Sequence, residues 1–510
     1  MLLAAKKIHG SKIVEVRSKA QVPLGIVTDV CSTDPHCRCV TIGTLPDDVL
    51  LEIFDFYLDD FEIEAKESEE IDAWFTLVHV CQQWRYVVIT SPRRLNLRLL
   101  CTRYRPVKEM LGVWPALPIA VWESFPETSL EDGVENIFAA LEHSDRIHEI
   151  NFQRIPSSLL ERYIEMMQVP FPVLTSLELM SSDDEWPPVR AAIPDSFLGG
   201  LAQRLRLLDL NGIPFPALRK LLLTATDLVK LSLWRIPHSA YVSPGALVTC
   251  LSSLARLTSL TLGFLSPRSR PGTRRPPPLI RAILPALVYL EFKGTSEYLE
   301  DLVARVDTPR LNETHVTYLN QLIFDTPRFH QFLSRAEQFE SPNRADVNFD
   351  TRDVVVSLSP SIAIVDPEED AGILFRISCT DLDWQLSSVT QVCTPSLPPL
   401  STLEHLYIRL TTSQQKQFQV DIENDQWPEF FHPFSAVKNL YLSEEITLSV
   451  ARALQELSGE SVTEVLPALQ NIFVEGLEPL GPVQEAIGIF IAARQLHGNP
   501  VTVRDWEREW

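Results

Sequence analysis

Between residues 147 and 474 one short pattern recurs: an apolar residue, two variable residues, a second apolar residue, one variable residue and a third apolar residue. Its clearest copies are Ile147-Ile150-Phe152, Leu174-Leu177-Leu179, Leu205-Leu208-Leu210, Leu228-Leu231-Leu233, Leu257-Leu260-Leu262, Leu287-Leu290-Phe292 and Leu319-Leu322-Phe324. The frame continues in weaker copies at Arg344-Val347-Phe349, Leu374-Ile377-Cys379, Leu403-Leu406-Ile408, Val437-Leu440-Leu442 and Leu469-Ile472-Val474, with starts 23 to 34 residues apart over the whole series. A period of this length marks stacked supersecondary units, none of which can bury its apolar face alone. The last two apolar residues alternate as in a strand whose one side faces a core. Between strands there is room for a helix, and SSLLERYIEMM (157–167) sets Leu160, Ile164 and Met167 on one helical face. Stacking such units gives an α/β solenoid, with a curved parallel sheet on one side and helices on the other.

Strand alternation turns the residue between the last two apolar positions away from the core. That row reads Asn151, Glu178, Asp209, Ser232, Thr261, Glu291, Ile323, Asn348, Ser378, Tyr407, Tyr441 and Phe473, polar or acidic early and aromatic at the end. Three neighbouring aromatics, with His405 and Arg409 beside Tyr407, have the composition of an interface hot spot. The candidate target site is therefore His405, Tyr407, Arg409, Tyr441 and Phe473, unless a cap or the segment VRDWEREW (503–510) covers the rings from within the chain. The insertion SPRSRPGTRRPPP (266–278), with Arg268, Arg270, Arg274 and Arg275 among prolines, should protrude as an extended loop.

Ahead of the repeats, TLPDDVLLEIFDFYL (44–58) has the grammar of a helix start: Thr44 as cap, Pro46 early, Asp47 and Asp48 at the positive end of the dipole. A second helix, WFTLVHVCQQWRYVVI (74–89), should stop before Ser91-Pro92. Between them lies DDFEIEAKESEEID (59–72), an acidic insertion expected to be a solvated loop. Two short helices with so much apolar surface need cover, from another polypeptide or from the rest of this chain, and the pattern alone leaves both open.

The run LPDDVLLEIFDFYL, followed by LVHVCQQWRYVV and SPRRL, resembles the F-box motif, in which a leading Leu-Pro opens one helix and Val-Cys-x-x-Trp lies on the next. The resemblance implies a small all-α unit that docks on the Skp-family linker, and through it on a cullin, in an SCF-type ubiquitin ligase. Carried over by position, the linker-binding candidates are Leu45, Pro46, Val49, Leu50, Ile53, Phe54, Val80, Cys81 and Trp84. The downstream frame is similar to divergent leucine-rich repeats, a known companion of F-boxes, and WPALPIAVWE (114–123) is similar to stretches in fungal F-box proteins. Together they imply a non-catalytic adaptor whose solenoid holds a protein target for ubiquitylation. The alternative is a repeat scaffold without a ligase role. The expected organisation is a flexible segment 1–40, an F-box-like unit 41–105, a junction 106–130, the solenoid 131–500 and a tail 501–510.

The remaining features narrow the class. A formal net charge of -22 argues against a general affinity for nucleic acid, which leaves a basic footprint on its binders. No apolar run is long enough to span a membrane, and the first residues lack a secretory pattern, so a cytoplasmic or nuclear location is expected. The eight cysteines are scattered, and the cluster Cys31, His36, Cys37, Cys39 lacks the second cysteine pair that a zinc site needs. No phosphate loop, nucleophile elbow or metalloprotease helix occurs, so neither cofactor nor catalysis is expected. Asn312-Glu313-Thr314 reads as a polar turn.

Overall fold

The computed structural model describes residues 45–64, 73–92, 94–95, 97–113, 117–124, 133–182, 192–266, 281–319, 324–339, 341–360, 372–379, 381–393, 400, 402–411, 426–457, 461–477 and 481–506. The chain divides into two compact units, Met1–Leu95 and Asn96–Trp510. The cysteine cluster at 31–39, Thr44, and the four arginines of the Pro/Arg insertion lie outside the described residues.

Among the described residues the first unit holds three helices, α1 (Asp47–Glu64), α2 (Ala73–Val80) and α3 (Gln82–Thr90). Helix α1 does not stop at Leu58 but continues through the first six residues of the acidic insertion; residues 65–72 lie outside the description. The single second helix expected from the sequence is two helices. Cys81 takes an extended conformation between them (φ -155, ψ 175), and its Sγ accepts the Trp84 N–H at 3.5 Å, so the cysteine ends α2 and caps α3. Phe54 meets Trp84 edge-on at 4.7 Å, and Gln83 Nε2 donates to the Leu45 carbonyl at 3.3 Å, tying α3 to the start of α1.

Among the described residues the second unit is built on one sheet of 16 strands. Its first part runs in chain order: β1 (Leu99–Cys101), β2 (Ile119–Ser124), β3 (Ile147–Ile155), β4 (Ser176–Ser181), β5 (Leu207–Asn211), β6 (Lys230–Ile236) and β7 (Ser259–Phe264). Next come β9 (Tyr289–Gly294) and β11 (Glu313–Leu319), while β8 (Ala282–Ile283) and β10 (Val306–Asp307) make a separate parallel pair. The far end is again sequential: β15 (His405–Thr411), β16 (Asn439–Leu442), β17 (Asn471–Glu475) and β18 (Thr502–Trp506). Between these stretches sit β12 (Arg344–Asp350), β13 (Asp353–Ser359) and β14 (Ile373–Ser378) in reversed order, so that the sheet reads β11-β14-β13-β12-β15. Strand β13 is antiparallel to both neighbours; every other pairing in the sheet is parallel.

The apolar frame sets the register. Leu177, Leu208, Leu231, Leu260 and Leu290 are partners across β4 to β9, all buried on the face that carries the helices. Each contributes roughly 1.5–3 kcal/mol by burial. Aromatic contacts show how helices seat on that face: Tyr163 on Phe152 (4.8 Å), Tyr298 on Phe292 (5.8 Å), Phe329 on Phe375 (6.1 Å), and Trp427 on Phe349 (6.3 Å).

Several expectations need correction. The sheet starts at Leu99 and ends at Trp506, so the supposed junction supplies a helix (Val107–Val113) and β2, and the supposed tail supplies β18. The frame is invisible at the start because Glu123, in register with Phe152, fills an apolar slot as a buried ion pair with Arg103 at 2.9 Å. The copy placed at Leu319-Leu322-Phe324 falls on residues 320–323, Ile323 among them, that lie outside the described residues; the described strand in this stretch is β11, which ends at Leu319. There Thr314 stands in register with Leu290, and Asn312-Glu313-Thr314 opens a strand where a turn was expected. The Thr314 hydroxyl is fully buried, with no hydrogen-bond partner among the described residues. Thr314→Val should therefore raise stability by about 1 kcal/mol in urea unfolding, since it removes an unsatisfied polar group at nearly constant shape; a loss would show that the hydroxyl is satisfied.

Candidate functional site

Parallel strands in register place equivalent side chains about 4.8 Å apart, so aromatics repeated at one position must stack. Tyr407, Tyr441 and Phe473 are partners across β15, β16 and β17 on the face without helices. Tyr407 lies on Tyr441 with centroids 4.1 Å apart and planes 6° off parallel; Tyr441 lies on Phe473 at 4.5 Å and 7°.

Cations extend this ladder at one end. The Arg344 guanidinium, on β12, lies 4.2 Å from the Tyr407 centroid, and that of Arg409 lies at 5.6 Å. Asp346 holds both: Arg344 donates to it at 2.6 and 3.0 Å, and Arg409 pairs with it at 3.2 Å. Arg344 and Asp346 are buried, which makes the pair a fixed backing for the ring and not a mobile surface bridge. His405 Nδ1 lies 3.3 Å from the Tyr441 hydroxyl. Burial holds this imidazole below its usual range; Glu404 opposes the shift, and Arg344 and Lys438 add to it. Burial, together with the neighbouring Tyr441, raises the Tyr407 phenol, so the ring stays neutral at physiological pH.

The five target-site candidates thus fall in one patch. The sequence reading missed three members. Arg344 occupied a nominally apolar slot, and Asp346 was passed over because β12 lies two residues out of the expected frame: Asp346, not Asn348, is the partner of Tyr407. The third is Trp506 of β18, whose indole packs edge-on against Tyr441 (5.4 Å, 69°) and Tyr407 (5.8 Å, 63°). The segment named as a possible cover does reach the rings.

At the other end the same face is acidic. Glu178 and Asp209 are partners on β4 and β5, with Glu149 beside them. Burial and mutual repulsion hold the Glu178 carboxyl above its usual range, with Lys230 opposing. Ser378 faces this side too, but the reversed strands bring Leu374, Ser357 and Asp346 into the row.

In the first unit the linker-binding candidates separate by exposure. Leu50 and Phe54 are 0% exposed and belong to the core, whereas Val49, Ile53 and Val80 are 39%, 42% and 57% exposed. Pro46 and Cys81 are exposed, Leu45 and Trp84 half-buried. Val49, Ile53 and the strongly exposed Phe56 follow one another at helical spacing, an apolar stripe along α1.

Sheet order, repeat length and apolar frame make the second unit a leucine-rich-repeat-like α/β solenoid with a long, mostly parallel sheet, preceded in the chain by a helical unit. No protein-family model matches the chain, and no curated protein matches it. Among solved structures, the leucine-rich repeat-containing protein LegL7 from Legionella pneumophila matches at 14% identity, over 79% of this chain and 98% of that chain, with a TM-score of 0.24. Among the described residues no helix is long and apolar enough to cross a membrane, and no group of three or more His, Cys, Asp or Glu is placed to hold a metal ion.

Proposed function

We propose that the chain is a non-catalytic adaptor: α1 and α3 dock a Skp-family linker of a cullin-based ubiquitin ligase, and the helix-free face of the solenoid holds a protein target. The observation that carries the docking half is the exposed stripe Val49, Ile53 and Phe56, with Val80 exposed at the end of α2, in a unit whose sequence resembles an F-box. Exposed large apolar side chains at helical spacing mark a surface that another polypeptide covers. The target half rests on the aromatic ladder, a rigid, partly desolvated patch rich in the residue types that dominate binding energy at interfaces.

Core and contact positions make the test clean. Ile53→Asp alters an exposed residue and should change folding stability by about 0.5 kcal/mol or less, yet weaken co-purification with the linker by about tenfold or more, as a charge placed in an apolar contact does. Leu50→Ala, in contrast, acts on the core and would confound binding with unfolding. A wild-type chain that forms no complex with any Skp-family linker overturns the adaptor role. The second reading, a leucine-rich-repeat scaffold that binds partners through the same ladder without ubiquitylation, then stands.

A further inference from the structure

The ladder is built without help from Trp506. Backbone register spaces the rings, Arg344 and Asp346 back the first of them, and His405 reaches the Tyr441 hydroxyl. Trp506 comes from a different kind of element. Among the described residues strand β18 pairs with β17 alone, and Thr502, Arg504 and Asp505 are exposed. The strand is held by its ladder with β17 over Thr502–Trp506 and by a small set of further contacts: a buried Val501, the Thr502 N–H on the Gln470 carbonyl (2.9 Å), the Thr502 hydroxyl on Asn471 (2.7 Å), and Asp505 accepting the Leu477 N–H (3.1 Å). Gly498, in the left-handed region (φ 81), and Asn499 cap the preceding helix by donating to the Gln495 and Arg494 carbonyls, and Pro500 leads into β18.

From that last strand of the sheet the indole reaches across β17 and packs against the two tyrosines at a steep angle. The faces of both tyrosines are taken by each other, by Phe473 and by Arg344, so the indole meets their edges, one of the two arrangements aromatic pairs favour. The chain itself therefore displays which chemistry the ladder accepts.

We propose that Trp506 is a self-ligand: it holds the place that an exposed aromatic side chain of the target, carried on an extended segment, takes when β18 moves aside. This deepens the target-site reading and rests on it.

The experiment uses the full chain and N-acetyl-tryptophanamide as probe, with N-acetyl-alaninamide as control, followed by ligand-observed NMR. Trp506→Ala should take up the aromatic probe about tenfold more tightly than wild type and ignore the control, and Trp506→Ala with Tyr441→Ala should lose the gain. Uptake no tighter than wild type, or a gain retained in the double variant, overturns the proposal. Hydrogen exchange of the wild-type chain keeps the question decidable if the variant does not fold. The Thr502 amide bonds the Gln470 carbonyl just as the Gln470 amide bonds that of Lys438 (2.9 and 2.8 Å). A displaceable strand exchanges at Thr502 about a hundredfold faster than at Gln470; equal rates make Trp506 a fixed cap and overturn the proposal. Linker co-purification is read separately: a chain that takes up the probe but binds no linker loses the adaptor role and keeps the self-ligand, and the converse result does the reverse.

Discussion

Arg494→Ala should destabilise the chain by about 3–5 kcal/mol, the cost typical of removing a buried charged group from its partners, with the loss concentrated in the last repeats. Arg494 lies on the helix Pro482–Leu496 and is fully buried. Its Nη1 donates to the Val462 carbonyl (3.1 Å), and its Nη2 to those of Leu466 (3.4 Å), Pro467 (3.3 Å) and Leu469 (3.3 Å). These carbonyls fan around a turn in which Leu466 takes a left-handed conformation (φ 49). Removing the guanidinium takes the donor from the Val462, Pro467 and Leu469 carbonyls, whereas Leu466 keeps the Leu469 N–H (3.0 Å); a buried carbonyl left unpaired costs about 1–3 kcal/mol unless water enters. Arg494→Met separates the causes, because it restores most of the volume and none of the donors. Urea unfolding gives the magnitude, and exchange at Ile472 and Val474 gives the location. A loss under about 1 kcal/mol would mean that water replaces the arginine.

At the other end of the sheet, the Arg103–Glu123 pair predicts a different signature. Both side chains are essentially unexposed, and burial pushes the Glu123 carboxyl up to about 7 although Arg103 pulls it down. A carboxyl raised above its unfolded value of 4.5 keeps more protons in the folded state, so its contribution to stability is highest below pH 4.5. That contribution falls as pH rises through the window from 4.5 to about 7 and is flat above it. The full swing is ~3 kcal/mol. Glu123→Gln should abolish this share of the pH dependence, read as the difference between wild-type and variant unfolding at pH 5 and pH 8. Arg103→Met alone should cost about 3–5 kcal/mol at pH 8 by stranding the carboxylate, and Arg103→Met with Glu123→Leu should recover most of it. If the double variant is no better than the single, the pair is favourable in itself and the desolvation argument is wrong.

The fold was legible where the frame carries leucine and lost where chemistry interrupts it. Six consecutive copies, from Ile147 to Phe292, were read in their true register because both slots are large and apolar. Thr314 and Glu123 hid two strands, since a buried hydroxyl and a buried ion pair look like surface in a sequence. A second signal was present and unused. Arg154-Ile155-Pro156, Gly212-Ile213-Pro214 and Arg235-Ile236-Pro237 each begin with a residue in the left-handed region (φ 54, 74 and 53) where a strand ends. In one of the three the residue is glycine, the usual choice for that conformation. In the site, stacking of Tyr407, Tyr441 and Phe473 followed from strand spacing alone. Asp346 and Trp506 did not, because they depend on strand order and on a terminal strand, neither of which the frame encodes. On α1, alternation of buried and exposed apolar residues within one run is set by packing and was equally hidden.

The reversed strands β12 to β14 also bear on how the molecule comes apart. A solenoid of consecutive repeats transmits stability from neighbour to neighbour. Here the meander is contiguous in the chain, but it joins β11 to β15 by its two outer strands, so among the described residues the sequential stretches on either side pair in the sheet with it and not with each other. Cooperativity must pass through this three-strand block, which makes it the seam along which the sheet would divide into separately melting halves.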